Sequence, residues 1–428
     1  MKVHLRMLGC RLNQAEIDAM ARQLLASGHE IVANAAEAEQ IIVNTCAVTQ
    51  DAAHSSRQLV RQMHRSSPDA AIHVTGCYAH IEPQAARALP GVVRVVDNLA
   101  KDRLIASLSG EDAAHEAEPL QRAADSARGG RTRAFIKVQD GCDNACTFCV
   151  TTIARGEGRS RPVQDVLSEI RLLHAQGYQE IVLTGVHLGS YGHDVGARHG
   201  LQALVQAILR ETEIPRLRLS SLEPWDLTPD FFALWQDRRL CPHIHLPLQS
   251  GCDATLRRMA RRTSQMQFSQ LIDEARRHVP DMCITTDVIV GFPGETDAEF
   301  AESAAFIEAM NFAGLHVFRY SRRQGTPAAR MRQPVPEAEK QARSHRLLAY
   351  AEAQEMRYAE RFSSATREVL WEQVAGATEG GFVNVGYTDN YIRVRSIHPR
   401  PLTNALLPAY LGHFDPQTRQ MSAEPILD

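Results

Sequence analysis

The sequence predicts an α/β protein in three parts: an N-terminal parallel-sheet βα domain over 1–108, a central partial β/α barrel over 132–362, and a small all-β module over 363–428. Three patterns carry this. Apolar runs alternate with helical periodicity up to about residue 108, and the alternation resumes at Arg133 for several more strand–helix pairs. Beyond Ser363 the runs are short, β-branched or aromatic, and divided by Gly, Asn and Pro turns.

In the first part VHLRML precedes the helical stretch NQAEIDAMARQLLASG, IIVNT precedes AAHSSRQLVRQMHR, and AAIHVTG precedes a third helical pattern. Each apolar run ends in a cysteine: Cys10, Cys46 and Cys77. The carboxyl ends of parallel strands line one edge, where ligands bind, so these thiols, 36 and 31 residues apart in sequence, are expected to converge. One such cysteine would be an ordinary small hydrophobe. Three at equivalent positions point to a metal or cluster site. From Gly110 to Gly130 the chain is polar and alanine-rich, which predicts a connector over 109–131.

The central part opens with AFIKVQ. In RPVQDVLSEIRLLHAQG, Val163, Val166, Leu167, Ile170 and Leu173 share a helix face that Gly177 terminates. Strands are expected at EIVLTG, RLRLSS, HIHLPL, MCITTDVIVG and GLHVF. Helices are expected through LQALVQAILRE, near FFALWQ, around ATLRRMA and FSQLIDEARRH, and at EFAESAAFIEAM. Barrels of this kind place their sites at the strand carboxyl ends. In the last part REVLWEQ, GFVNVGYT, YIRVRS and ALLPAYL read as strands.

Composition narrows the chemistry. No run of about 18 apolar residues appears, so no membrane span is expected, and the start MKVHLRMLGC lacks the apolar core of a signal peptide. The protein is expected in the cytoplasm, where thiols stay reduced, so nine cysteines demand a chemical explanation and clustered ones read as metal ligands or catalysts rather than disulfides. A net charge of −3 gives no global footprint for nucleic acid, which leaves RRMARR (Arg257–Arg262) and FRYSRR (Phe318–Arg323) as local patches, each read first as a solvated face or loop.

The stretch DGCDNACTFCV holds Cys142, Cys146 and Cys149 directly after the first barrel strand. No second knuckle follows, as zinc ribbons would require, and Cys241, Cys252 and Cys283 are scattered, as core or loop residues would be. A four-iron cluster held by three thiolates leaves one iron open. CxxxCxxC with Phe148 before its last cysteine, placed after a first barrel strand, resembles the radical S-adenosylmethionine superfamily. In that family the open iron binds the amino and carboxylate groups of S-adenosylmethionine. EIVLTGVHLGSYG, with Gly185, resembles the family's segment at the cofactor's amino end, and TTDVIVGFPGET, with Asp287, resembles its fifth-strand loop. Glu223 in SSLEPW and Gln249 in HLPLQSG end the third and fourth strands and join Phe148, Gly185 and Asp287 as candidate cofactor-binding residues.

The three parts, in this order, resemble the methylthiotransferases. The resemblance implies a second [4Fe–4S] cluster on Cys10, Cys46 and Cys77 beside the one on Cys142, Cys146 and Cys149, and a TRAM-like RNA-binding module at the end of the chain. It implies two uses of S-adenosylmethionine, one to methylate a sulfur and one to activate the substrate. LGCRLNQAE, VNTCAVTQDAAHSSRQLVRQ and TGVHLGSYG resemble the branch acting on threonylcarbamoyladenosine in tRNA more than those acting on isopentenyladenosine or on a ribosomal-protein aspartate. The implied partners are a tRNA anticodon stem-loop and an electron donor such as flavodoxin or ferredoxin. A structural-zinc RNA-binding protein is the non-enzymatic alternative.

Several weaker candidates complete the reading. Arg155, Arg159 and Arg161 have the chemistry to grip a carboxylate or phosphate, with capping or surface pairing as the alternative. His243 and His245 share a strand face and are expected to be packed or hydrogen-bonded. Arg393, Arg395, His398 and Arg400, with Tyr387 and Tyr391, offer cations and rings for RNA, although strand packing explains the tyrosines equally well.

Overall fold

A computed structural model describes residues 1–109 and 132–427. Its first part runs β1 (Lys2–Met7), α1 (Arg11–Ala26), β2 (Glu30–Ile31), β3 (Gln40–Thr45), α2 (Gln50–Ser66), β4 (Ala71–Gly76), α3 (Cys77–Ile81), α4 (Pro83–Arg87), β5 (Val92–Val95) and α5 (Leu104–Ser109). The five strands form a parallel sheet in the order β2-β1-β3-β4-β5. A parallel strand covered on both faces reads as a continuous apolar run, and IIV in β3 shows why. Ile41 and Val43 pack with Val60 and Met63 of α2, while Ile42 packs with Ile17, Met20 and Leu24 of α1. The edge strands β2 and β5 are short and partly exposed, and the apolar-run reading did not reach them. The predicted connector lies, apart from Ser109, outside the described residues.

The central part follows with β6 (Arg133–Lys137), β7 (Gln139–Asp140), α6 (Thr151–Arg155), β8 (Arg159–Ser160), α7 (Val163–Ala175), β9 (Glu180–Thr184), α8 (Gly200–Glu211), β10 (Arg216–Leu219), β11 (His243–His245), α9 (Asp253–Arg258), α10 (Gln265–His278), β12 (Cys283–Val290), α11 (Asp297–Met310), β13 (Gly314–Arg319) and α12 (Glu337–Glu360). Parallel pairing gives β6-β9-β10 and β11-β12-β13, and the bridge between Ser221 and His245 joins the two sets. The result is a six-stranded partial barrel. The predicted face of α7 is buried, with Val163 half-covered at its start. FFALWQ forms a 3₁₀ helix over Pro229–Gln236, not an α-helix, and its Phe231, Phe232 and Trp235 rings pack against one another.

The last part is a closed barrel of β14 (Thr366–Thr378), β15 (Gly381–Thr388), β16 (Arg393–His398), β17 (Leu406–Asp415) and β18 (Gln420–Pro425), ordered β14-β15-β16-β18-β17 around a buried Trp371. β18, sequence QMSAEP, carries no β-branched residue and went unread. This module caps the amino ends of the central strands. Glu180, the first residue of β9, holds Arg216 at 3.0 Å and Arg218 at 2.8 Å, and these arginines donate to the carbonyls of Thr388 and Asp389. Tyr391 stacks on His243 with centroids 4.3 Å apart and on Tyr387 at 5.0 Å, lies under the Arg218 guanidinium, and accepts a 2.7 Å hydrogen bond from Arg11. The tyrosines offered as base-stacking platforms are thus engaged within the protein, while Arg393 and Arg400 stay exposed. Among the described residues no helix is long and apolar enough to cross a membrane.

Candidate functional site

The loop that carries Cys142, Cys146 and Cys149 leaves the carboxyl end of the first barrel strand and is fixed by its own backbone. Gly141 adopts φ +76°, and a Cβ there would fall 1.8 Å from the Glu157 carbonyl oxygen, so only glycine fits. Cys142 then donates its N–H to Gly156, and Cys149 donates to the Cys146 carbonyl. Thr147 clamps the middle of the loop. Its N–H reaches the Met259 carbonyl at 3.0 Å, its hydroxyl reaches Arg258 at 2.8 Å, and its carbonyl accepts from Ala328.

Two charged side chains attend these thiols. Arg261 donates to Cys146 Sγ at 3.7 Å and to Glu223 Oε2 at 2.6 Å, and it lies over the Trp225 ring. Burial pushes the Cys146 thiol up to about 11, with the Arg261 cation opposing. His187 sits between Asp226, at 2.5 Å, and Cys142. Burial alone would lower its pKa, but the bonds to Asp226 and Cys142 hold it at about 10.

The strand-end cysteines of the first part converge as expected. A Cβ on Gly9 would stand 2.9 Å from Cys46 Cβ and 3.0 Å from its sulfur, which places the Cys10 turn directly on Cys46. Burial pushes the Cys46 thiol up to about 11, reinforced by the neighbouring Cys77 and Cys10 sulfurs. A tetrahedral zinc with Zn–S bonds of about 2.3 Å brings its sulfurs to roughly 3.8 Å from one another. Among the described residues the one set of three His, Cys, Asp or Glu ligand atoms within 4.8 Å is His245, Asp287 and His316, so neither thiol triplet is that tight. Thiols spread wider than one zinc takes, each serving its own metal, suit a multi-iron cluster.

The two triplets are neighbours. Arg155, six residues beyond Cys149, is buried and donates to Glu16 Oε1 at 2.8 Å, Asp140 Oδ1 at 2.9 Å and Asn13 Oδ1 at 2.9 Å. Asn13 lies three residues past Cys10 and Asp140 two before Cys142, so one guanidinium joins both thiol loops. Asn98 adds a second link, with its amide 2.6 Å from the Ala154 carbonyl and 4.0 Å from Cys77 Sγ.

Comparison with known proteins matches residues 2–97 to the uncharacterized protein family UPF0004 and residues 136–307 to the radical SAM superfamily. The threonylcarbamoyladenosine tRNA methylthiotransferase MtaB of Bacillus subtilis is 36% identical, over 90% of this chain and 88% of that protein. This chain belongs to the radical S-adenosylmethionine methylthiotransferases. The tRNA-2-methylthio-N(6)-dimethylallyladenosine synthase of Staphylococcus haemolyticus is less alike, at 31% identity over 93% of this chain and 80% of that protein. The radical S-adenosylmethionine methyltransferase TsrM from Kitasatospora setae, solved with cobalamin and a [4Fe–4S] cluster bound, shares the fold at a TM-score of 0.56 and 16% identity, covering 76% of each chain. The cofactors of this methylthiotransferase are S-adenosylmethionine and [4Fe–4S] clusters.

The other residues singled out in the sequence fall at different distances from the thiols. Phe148 packs edge-on against Phe292, with centroids 6.5 Å apart. Gly185 follows β9, where a Cβ would lie 2.9 Å from Gln139 Oε1, so the loop backbone runs close to β7. Glu223 meets Cys146 through Arg261, which also donates to the Pro247 carbonyl two residues before Gln249. Gln249 takes a left-handed φ of +73° and is held to β12 by backbone bonds to Asp287 and Ile289. Asp287 lies between His245 at 3.2 Å and His316 at 3.0 Å; burial opposes its ionisation, but the two imidazoles hold its carboxyl well below the usual range.

For two sets of arginines the plainer alternative holds, pairing within the protein. Arg155 and Arg161 do not wait for a ligand, because Arg155 is consumed by Glu16 and Asp140, and Arg161 pairs with Glu169 at 2.6 Å. RRMARR is not a free basic patch either, since Arg258 pairs with Glu299 and Arg261 with Glu223. The sequence reading also passed over Glu16, Gln139 and Asp226. A charged residue on the inner face of an amphipathic helix is the one signal that marked Glu16.

Proposed function

We propose that this methylthiotransferase modifies tRNA, converting N6-threonylcarbamoyladenosine next to the anticodon into its 2-methylthio derivative. The observation that carries the reading is the pair of three-thiol sets, each one ligand short of a closed site and joined through Arg155. The substrate follows the relatives named for threonylcarbamoyladenosine, among them the Bacillus subtilis protein at 36% identity.

Cys142, Cys146 and Cys149 would hold the cluster that receives S-adenosylmethionine, and Cys10, Cys46 and Cys77 the second. Phe148, Gly185, Glu223, Gln249 and Asp287 would line the cofactor cleft. When bound, these groups supply one-electron hydrogen abstraction and sulfur delivery, which an adenine C2–H needs because it is too weakly acidic for side-chain bases. The chain's own residues position and insulate. Arg261 keeps a positive charge at Cys146, His187 links Asp226 to Asn144 of the thiol loop, and Arg155 fixes one thiol loop against the other. A flavodoxin- or ferredoxin-like donor would supply electrons, and the reaction would take place where tRNA is, in the cytoplasm.

The test is mass spectrometry of nucleosides from digested tRNA, with and without this gene. The expected result is loss of 2-methylthio-threonylcarbamoyladenosine with its unthiolated precursor accumulating. An unchanged profile, in a parent strain that contains the nucleoside, would refute the substrate.

A further inference from the structure

A cleft of about 710 Å³ opens between the first part and the barrel. Its wall includes Gln50, Ile81 and Ile153, which stand four residues beyond Cys46, Cys77 and Cys149. In α3 four residues are about 6 Å of helix, so the cleft adjoins both thiol sets. Across from them the wall is the loop after β13, containing Arg322 and Arg323, which Gln50 ties down through Ser321 Oγ at 3.1 Å and the Arg322 carbonyl at 3.2 Å.

Arg323 is anomalous within this protein. The other buried arginines among the described residues, Arg22, Arg155, Arg216, Arg218, Arg261 and Arg343, each face a carboxylate within 3.0 Å. Arg323 is as buried as Arg261, at 7% exposure, yet among the described residues its guanidinium has no ion pair or hydrogen bond, and its Nε is enclosed without a partner. Its backbone is fixed, since the Arg323 carbonyl accepts both the N–H and the hydroxyl of Thr326. Of its three guanidinium nitrogens only Nε is enclosed, so the unpaired terminal nitrogens stay open to the cleft, where an anion would complete the charge. The cleft's own acids do not supply one. Glu82 faces Arg57 at 4.0 Å, and Asp51 is exposed in the first turn of α2.

We propose that Arg323 is the anion-binding residue of the substrate cleft, taking an oxyanion of the RNA in a forked, charge-assisted contact. This rests on the function proposed above. The oxyanion has two sources: the carboxylate on the threonyl group of the target nucleoside, or a phosphate of the anticodon loop. A planar fork suits either.

The experiment measures binding of cluster-loaded, full-length enzyme to two anticodon stem-loop RNAs under anaerobic conditions, one with threonylcarbamoyladenosine and one with plain adenosine. Wild type and R323Q are compared, with iron content and melting temperature as folding controls. If the carboxylate is the ligand, R323Q loses about 10- to 100-fold on the modified RNA and little on the plain one, and a carboxamide analogue of the threonyl group weakens wild type to the same extent. If a phosphate is the ligand, R323Q weakens both RNAs alike and the salt dependence of binding falls by about one phosphate. R323K, which keeps charge without the fork, should fall between wild type and R323Q in either case.

Unchanged binding of both RNAs by R323Q and R323K overturns the proposal, as does a loss confined to S-adenosylmethionine affinity. Should R323Q not fold, the carboxamide RNA and R323K decide. Failure of wild type to bind either RNA would instead overturn the substrate reading on which the proposal rests.

Discussion

The two thiol triplets serve neighbouring positions but are built in opposite ways. Cys142, Cys146 and Cys149 sit on one loop, spaced by its own turns and clamped at Thr147. Cys10, Cys46 and Cys77 come from three strand ends, and their meeting depends on the register of β1, β3 and β4 across the sheet. The loop triplet is therefore a local device that a short segment specifies. The strand-end triplet is a property of the domain, and anything that shifts the sheet shifts the site.

The sharpest way to break the comparison is to remove one thiol from each. C142A should abolish reductive cleavage of S-adenosylmethionine, with 5′-deoxyadenosine falling to background in a dithionite-driven assay. C46A should keep that cleavage while yielding no methylthiolated nucleoside. Each variant should bind about one cluster's less iron than wild type. If both variants lost cleavage equally, the division of labour between the triplets would be wrong.

The same contrast explains what the sequence could reveal. CxxxCxxC was legible because its partners lie within eight residues, and the strand-end cysteines were legible because parallel strands share an edge. The six central strands followed from apolar runs; β5 carries an equally legible run, VVRV, that was passed over, whereas β18 lacks β-branched residues and gave no comparable signal. Arg155 was visible as a cation, but its partner Glu16 lies 139 residues away on a helix of another domain, and no local pattern encodes that pairing. FRYSRR looked like a solvated patch. Burial of Arg323 arises from the docking of α2 on the loop after β13, which sequence periodicity does not describe.

Between the triplets, the joint itself offers a smaller effect. R155M would strand Glu16 and Asp140, leaving Lys101, at 2.7 Å, as the nearest cation to Glu16. Removing one member of a buried ion pair costs about 3–5 kcal/mol, so the urea midpoint of the cluster-free chain should fall by that equivalent. A paired R155M/E16Q variant should recover part of the loss relative to the sum of the two single variants, the comparison with E16Q alone accounting for the buried Lys101 that it leaves without its 2.7 Å partner. Recovery would mark the contact as electrostatic. Its absence would mean that the guanidinium acts by packing and by its bond to Asn13.

The finest effect is one of pH. Burial opposes ionisation of Glu16, but Arg155, Lys101 and Lys137 outweigh it and hold the carboxyl far below its ordinary value. Its contribution to stability is therefore complete above the unfolded carboxylate value of about 4.3 and drains away as pH falls towards the folded one. The strand-end triplet, leaning on this helix through Asn13, should loosen in the same acid window, whereas the loop triplet keeps its backbone clamps. Melting temperatures from pH 3 to 7 should fall more steeply on the acid side for wild type than for E16Q, with the two curves parallel above pH 6. Curves parallel throughout would show that Glu16 is no more ionised in the folded chain than in the unfolded one, and the electrostatic account of the joint would fall with it.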